Sequence, residues 1–170
     1  MDILKTSIEW AKDEVFSSLF FILFGVMFVL ATVGFWQLGK TDLAKAFIFP
    51  TLVAGVLLLT LGLGLFFLNK PRVASFTTAY KNDASAFVKS EKIRTQKSIA
   101  EYQTAVFKVI PLIIAVAALL VVFIAQPIWR AISITTLALM VVVLLVDTQA
   151  NARLEIYHQK LAFAAQHLKN

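Results

Sequence analysis

The chain has 170 residues, of which 59% are hydrophobic and 15% are charged, and it contains no cysteine. Soluble globular domains carry about 45–50% apolar and about 25% charged residues, and a soluble fold of this size could not bury so much apolar surface. The missing cysteines exclude disulfides, thiol catalysis and cysteine metal sites. The composition therefore predicts a chain whose surroundings are largely the lipid bilayer.

The net charge of +6 is compatible with two kinds of partner. In a soluble protein it would suggest nucleic acid, but no nucleic-acid recognition motif accompanies it. Cytoplasmic loops of membrane proteins are also enriched in Lys and Arg. We therefore expect anionic lipid headgroups on the cytoplasmic side as a partner, and no nucleic acid.

The N-terminal half predicts two transmembrane spans. Residues 1–15 have apolar residues at helical spacing, which predicts a short amphipathic helix with Trp10 at the headgroup level. Residues 16–38 carry no charge and, as a helix, reach roughly 34 Å, enough to cross a hydrocarbon core of about 30 Å. After a short polar turn, the second span is predicted at 46–68, antiparallel to the first. The Asn-Lys-Pro sequence at 69–71 is expected to end this helix.

The C-terminal half predicts a second pair of spans with helical extensions. A helical pattern begins near residue 84, forms an extension over 84–105 and continues into a third span at 106–125, where Pro111 is expected to kink the helix. A tight turn leads to the fourth span at 128–146. A second extension is predicted over 147–168.

The second extension carries a seam of apolar residues at 3–4 spacing, made of Leu154, Tyr157, Leu161, Ala164 and Leu168. We expect the two extensions to pack as an antiparallel pair. The alternative is that the seam lies on the membrane surface.

Lys and Arg are unequally distributed between the predicted loops. All but three of the 16 fall on the side of the N-terminus, residues 69–105 and the C-terminus, whereas Lys40, Lys45 and Arg130 fall on the other. The positive-inside rule places both termini in the cytoplasm. The predicted fold is all-α: an integral membrane four-helix bundle of two antiparallel transmembrane hairpins with helical cytoplasmic extensions, in a bacterial inner membrane.

The sequence contains no catalytic, metal or cofactor motif, so we expect no enzyme activity, no metal and no cofactor. The centre of every span lacks ionisable residues, which disfavours proton-coupled transport. Lys108 and Asp147 lie near the inner ends of adjacent antiparallel spans and could form an ion pair. Glu155 and His158 have the i, i+3 spacing of half a di-metal site, but solvated residues are the simpler interpretation.

Two further groups of residues are candidate contact sites. A basic cluster just inside the membrane is expected to bind anionic headgroups or an acidic partner, and consists of Lys89, Lys92, Arg94 and Lys97. Ser133, Thr135 and Thr136 cluster in the outer half of the fourth span. They could line a narrow polar path, or bond to their own helix and to neighbouring helices. In the second span, Gly62 and Gly64 leave small notches, and Thr60 with Gly64 forms a small-xxx-small pattern.

These features predict a non-enzymatic protein that acts through protein–protein interaction. It would be an accessory or assembly subunit, or an immunity-type protein against a membrane-active toxin, with another protein or a second copy as its partner. In topology alone the chain resembles small four-span bacterial inner-membrane immunity and exclusion proteins. The alternative function is a small oligomeric channel or transporter with an uncharged Ser/Thr-lined path.

The predicted topology can be tested with two epitope tags, one after Leu43 and one within residues 75–95. Because the second span separates these segments, the tags are expected to be accessible from opposite faces of the membrane in intact cells. Labelling of both tags from the same face would contradict the topology.

Overall fold

The structure is a computed structural model that describes residues 2–167, and every secondary-structure element in that range is helical. The elements are α1 (Ile3–Leu38), α2 (Asp42–Ala46), α3 (Ile48–Asn82), α4 (Ala84–Thr104), a π-helical turn (Ala105–Val109), α5 (Ile110–Phe123) and α6 (Pro127–His167). They form four helical units of 36–41 residues, namely α1, α2 with α3, α4 with the π-helical turn and α5, and α6. Each unit is long and apolar enough to cross a membrane. The prediction of an all-helical chain with four such helices is confirmed.

The predicted end of the second helix at 69–71 is wrong. Helix α3 passes through Pro71 and ends at Asn82. A proline in a helix removes one hydrogen bond, but here the residues beyond it carry Phe76 into a buried core. The chain leaves the helix at Asp83, which has extended backbone angles and whose carboxylate accepts the Ala86 N–H at 2.8 Å as the N-cap of α4.

The short amphipathic helix predicted at 1–15 is also not a separate element. Helix α1 begins after Asp2, whose carboxylate accepts the Lys5 N–H, and continues without a break to Leu38. Trp10 is only 7% exposed and packs against other side chains inside the protein, so its ring does not face lipid. Ser17, further along α1, is also buried.

Pro111 produces a local change of helix type. Its ring nitrogen has no proton to donate, and its ring would clash with the carbonyl four residues earlier in an α-helix. The chain responds with the π-helical turn just before it, in which the Ile110 N–H donates to the carbonyl of Ala105, five residues back. A π-helical turn changes the hydrogen-bond pattern of a long helix locally, and irregularities of long helices commonly occur at prolines and at such turns.

Helices α1 and α3 pack with their backbones in close contact. A Cβ atom on Gly25 would lie 2.9 Å from the backbone nitrogen of Leu59, and one on Gly62 would lie 2.8 Å from that of Ile22. Small residues allow this approach, which strengthens van der Waals packing between membrane helices. Gly64, by contrast, has no atom within 4 Å of a Cβ position, so only one of the two predicted notches holds a neighbour.

A hydrogen bond joins α1 and α3 further along. The Thr32 and Thr51 hydroxyl oxygens lie 2.9 Å apart in a buried contact, and each also lies within hydrogen-bond distance of the carbonyl four residues earlier in the chain. Since each hydroxyl has one proton, one threonine donates to the other, which in turn donates to its own carbonyl.

The main buried core lies at the end of the helices that is opposite to the Thr32–Thr51 contact. It is formed by Trp10, Phe76, Phe87, Leu154, Tyr157 and other residues of α1, α3, α4 and α6. Within it α4 and α6 pack together, with Leu154, Tyr157 and Leu161 of the predicted seam buried and Ala164 beside them. Leu168 lies outside the described residues. This region, made of residues 3–15, 69–104 and 147–167, is called the polar end below.

Helix α5 is peripheral within the described part of the chain. Apart from the π-helical turn that leads into it, it packs against α6 alone. Only Ile110 and Ala117 of its 14 residues are buried. The apolar region therefore consists of a tight α1–α3 pair, α6 beside it, and α5 on the outside.

The α1–α3 contact makes a prediction about two neighbouring glycines. Gly62→Leu is expected to lower the free energy of unfolding by about 1–3 kcal/mol, because the new side chain must push two backbones apart. Thermal unfolding of the purified protein in mild detergent measures the change. Gly64→Leu is the matched control, since open space surrounds that position. Equal losses in the two variants would contradict the close packing.

Candidate functional site

The four helical units enclose a partly open cavity of about 350 Å³ where the polar end meets the apolar region. Its polar lining consists of Glu14, Asn69, Arg72, Arg94, Ser98, Glu101, Tyr102 and Asp147, together with the indole of Trp10. We call this the polar-end cavity. It contains most of the charged groups that approach the interior, so it is the first candidate for a functional site.

The sequence suggested that Arg94 belongs to a surface cluster of basic residues, but the structure places its side chain against Glu91 and Trp10. Its guanidinium group donates two hydrogen bonds to the Glu91 carboxylate, at 2.8 and 2.7 Å, and lies 4.6 Å from the centre of the Trp10 ring. Bidentate pairing and stacking on an aromatic face are the preferred contacts of arginine. Of the other members of the predicted cluster, Lys89 and Lys97 are exposed and Lys92 is half-buried.

The Glu91 carboxylate connects Arg94 to the aromatic core. The Tyr157 hydroxyl donates to Glu91 at 3.1 Å and lies 2.9 Å from the Ser7 hydroxyl. The Tyr157 ring stacks on Trp10 with centroids 5.0 Å apart. Side chains of α1, α4 and α6 are therefore joined by one network, in which burial raises the pKa of Tyr157 and keeps the phenol protonated.

A second ion pair lies beside the cavity. Arg153 approaches Glu14 at 3.4 Å and also bonds to the Ser17 hydroxyl. Burial raises the pKa of Glu14, and the neighbouring Arg153 opposes that rise. The pair joins α6 to α1 at the level where the first predicted span begins.

Asp147 and Arg72 also face the cavity, without an ion-pair partner within 4 Å among residues 2–167. Lys108 is exposed, and the ion pair considered between Lys108 and Asp147 is not formed. Burial and the negative charge of Glu14 raise the pKa of Asp147 to about 6. Arg72 donates to the side-chain amide oxygen Oδ1 of the buried Asn69 at 2.6 Å.

The three hydroxyl residues of the fourth span are separated by the structure. Ser133 and Thr136 line an apolar groove of about 300 Å³ between α5 and α6, together with residues such as Leu112, Val116 and Leu120. We call this the α5–α6 groove. Thr135 is buried away from it. The hydroxyls of Ser133 and Thr135 are buried, and neither has a hydrogen-bond partner among the described residues.

The Glu155/His158 pair forms no metal half-site. His158 Nδ1 lies 2.7 Å from the Thr95 hydroxyl, while Glu155 accepts a hydrogen bond from Asn151 at 2.9 Å. Between residues 2 and 167 no group of three or more His, Asp or Glu side chains is arranged to hold a metal ion.

Sequence reasoning missed most of the cavity. Its lining residues Glu14 and Arg72 were not predicted as site residues, and neither was Tyr157 of the adjoining Glu91 network. One signal was available, because Glu91 and Arg94 have the i, i+3 spacing at which opposite charges pair on a helix. That spacing predicts that Arg94 pairs with Glu91 on its own helix, in place of contact with lipid headgroups.

No protein-family model, curated protein or solved structure matches the chain. The class of the protein therefore follows from its helices: it is an all-helical protein whose four apolar helices of membrane-spanning length indicate a membrane protein.

The raised pKa of Asp147 predicts a pH dependence of stability. Between about pH 4 and about pH 6 the folded protein binds this proton and the unfolded chain does not, so stability falls as pH rises through that window. The shift of the Asp147 pKa from 3.8 to about 6 corresponds to about 3 kcal/mol over the whole window, of which about 1.4 kcal/mol falls between pH 5 and pH 7.5. Asp147→Asn is therefore expected to be more stable than the wild type at pH 7.5, and this advantage is expected to shrink by about 1.4 kcal/mol when the pH is lowered to 5.

Thermal unfolding of both proteins at the two pH values measures this effect. Because the negative charges of Glu14 and Asp147 interact, the comparison measures the removal of Asp147 together with its effect on Glu14. Asp42→Asn, at an exposed position on α2, is the control. A wild type and an Asp147→Asn variant with the same pH dependence would contradict the burial of a charged Asp147.

Proposed function

We propose that the protein is a non-enzymatic integral membrane protein that acts by binding another membrane protein. It would serve as an accessory or assembly subunit, or as an immunity-type protein against a membrane-active toxin. We further propose that it lies in a bacterial inner membrane with both termini in the cytoplasm. The observation that carries the proposal is the α5–α6 groove beside a peripheral helix.

Helix α5 supports a binding role because it has so few internal contacts. It packs against α6 alone within the described residues, and its outer side chains are highly exposed, with Val122 at 72% and Leu112 at 65%. Lipid can cover such a surface. A groove between two helices is also the place where a third helix packs, since van der Waals contact is a main source of helix association in membranes.

Ser133 supplies a specific reason for a protein occupant. Its side chain is 1% exposed at the wall of the groove, and its hydroxyl has no hydrogen-bond partner within residues 2–167. A buried polar group without a partner is unfavourable in lipid, which offers no hydrogen bond in the hydrocarbon region. A partner helix with a hydroxyl or amide side chain facing the groove would satisfy Ser133 once the side chains that cover its hydroxyl move aside.

The channel alternative receives less support from the same side chains. Thr32 and Thr51 bond to each other, Thr60 bonds to the carbonyl of Val56, and Thr135 is buried away from the groove. A continuous path of free hydroxyls would require these groups on one surface. The groove itself is apolar apart from Ser133 and Thr136.

Site-specific photocrosslinking tests the proposed partner. A benzophenone amino acid replaces Val116 in the groove, or Val26 on α1 as the matched control, since these valines are 48% and 43% exposed. In intact cells we expect a protein adduct from position 116, identified by mass spectrometry as another integral membrane protein, and none from position 26.

A second substitution tests the role of the hydroxyl. Ser133→Ala is expected to reduce the adduct roughly threefold, the effect of about 0.6 kcal/mol per interhelical hydrogen bond, whereas Thr60→Ala is expected to leave it unchanged. An adduct formed only with a second copy of the chain would replace the proposed partner by self-association. Equal yields from positions 116 and 26 would exclude a specific site.

A further inference from the structure

The polar-end cavity has two unpaired charges of opposite sign. Arg72 has no carboxylate oxygen within 4 Å, and Asp147 has no Lys, Arg or His nitrogen within 4 Å, across residues 2–167. The other interior charges are engaged, since Arg94 pairs with Glu91 and Arg153 with Glu14. A cation and an anion that face one cavity without meeting each other leave room for a ligand between them.

Each of these two charges lies near a group of its own sign. Burial, with the nearby negative charge of Glu14, raises the pKa of Asp147. Burial, with the nearby positive charge of Arg94, lowers the pKa of Arg72 against the opposing effects of Glu91 and Glu14. Asp147 and Arg72 therefore each keep a like-charged neighbour, although Glu14 lies near both of them. A ligand with a positive and a negative group would relieve both like-charge contacts at once.

The position of the cavity indicates the source of such a ligand. Its apolar lining includes Leu65, Leu68 and Ala105, which lie at the ends of the predicted spans at 46–68 and 106–125. Leu68 is 64% exposed. A group in the cavity would thus sit at the boundary between hydrocarbon and water, with an apolar surface leading from it into the bilayer.

The size and the remaining donors of the cavity fit a small headgroup. About 350 Å³ lies within the range of small-molecule sites, about 300–1,000 Å³. Trp10 also lines the cavity. The guanidinium group of Arg72 has several N–H donors, which suit phosphate oxygens.

We propose that the polar-end cavity binds the phosphoethanolamine headgroup of a membrane phospholipid, with the phosphate at Arg72 and the ammonium group at Asp147. The primary ammonium group has three N–H donors for the carboxylate. A choline headgroup has the same charges but no N–H donor, and a glycerol headgroup has the phosphate but no cation. The site is independent of the α5–α6 groove, so either can fail without the other.

Native mass spectrometry of the delipidated protein, titrated with one phospholipid at a time, tests the site. Phosphatidylethanolamine is compared with phosphatidylcholine and phosphatidylglycerol that have identical acyl chains. We expect the apparent Kd for phosphatidylethanolamine to be about tenfold lower than the Kd for phosphatidylcholine or phosphatidylglycerol. A tenfold difference is the effect of one hydrogen bond to a charged group.

Two variants assign the two ends of the headgroup. Asp147→Asn is expected to abolish the preference for phosphatidylethanolamine over phosphatidylglycerol while phosphatidylglycerol still binds. Arg72→Gln is expected to weaken all three lipids about tenfold. Asp42→Asn and Lys70→Gln are the matched controls, since they remove the same charges at exposed positions and should change neither the affinities nor the preference.

The comparison between lipids is made within each variant, so a change in stability does not produce the expected pattern. Equal affinities in the wild type, or a preference that persists in Asp147→Asn, would overturn the proposal. Soluble O-phosphoethanolamine distinguishes the source of the headgroup. Binding of the soluble compound as tightly as the lipid would show that the bilayer is not required and would overturn the lipid assignment.

Discussion

The polar end of this protein depends on the position of one guanidinium group. Arg94 contacts the Glu91 carboxylate on its own helix and the face of Trp10 on α1, and Glu91 in turn accepts the Tyr157 hydroxyl of α6. The pair is largely shielded from water, with the Glu91 side chain only 8% exposed. Since a buried charge without its partner is costly, the three helices are constrained to keep these groups together.

Different forces hold the two regions of the molecule. In the apolar region lipid surrounds the helices, so burial of apolar surface gives little net attraction between them. Helices α1 and α3 are held by close backbone approach at Gly25 and Gly62 and by the bond between Thr32 and Thr51. At the polar end a core of aromatic and aliphatic side chains is buried, as in a soluble domain. Helix α5 takes part in neither the α1–α3 contact nor the buried core, and it remains peripheral.

This division explains where the two proposed binding surfaces lie. The α5–α6 groove is in the apolar region, where one helix lacks neighbours, and its only hydroxyl groups among the described residues are those of Ser133 and Thr136. The polar-end cavity lies at the junction of the two regions, where all four helical units diverge around charged side chains. The cavity and the groove require different ligands because one is lined by opposite charges and the other mainly by aliphatic groups.

Much of the fold could be predicted from local sequence. Hydropathy is summed over consecutive residues, so four apolar helices of spanning length were recognised without knowledge of their contacts, and the first ends at Leu38 as predicted. The break before α6 follows from Pro127 in the same way. Proline was less reliable at Pro71, since the packing of Phe76 beyond it is a tertiary contact that outweighs the local preference.

The sequence by itself thus determined the helical class and the four apolar segments, because each depends on residues adjacent in the chain. Only the tertiary structure decided that Arg94 turns towards Trp10, that Gly62 meets a neighbour while Gly64 does not, and that Asp147 faces a cavity and not Lys108. Those outcomes depend on the rotation of each helix about its axis. Rotation is set by packing against residues distant in sequence, which hydropathy does not record.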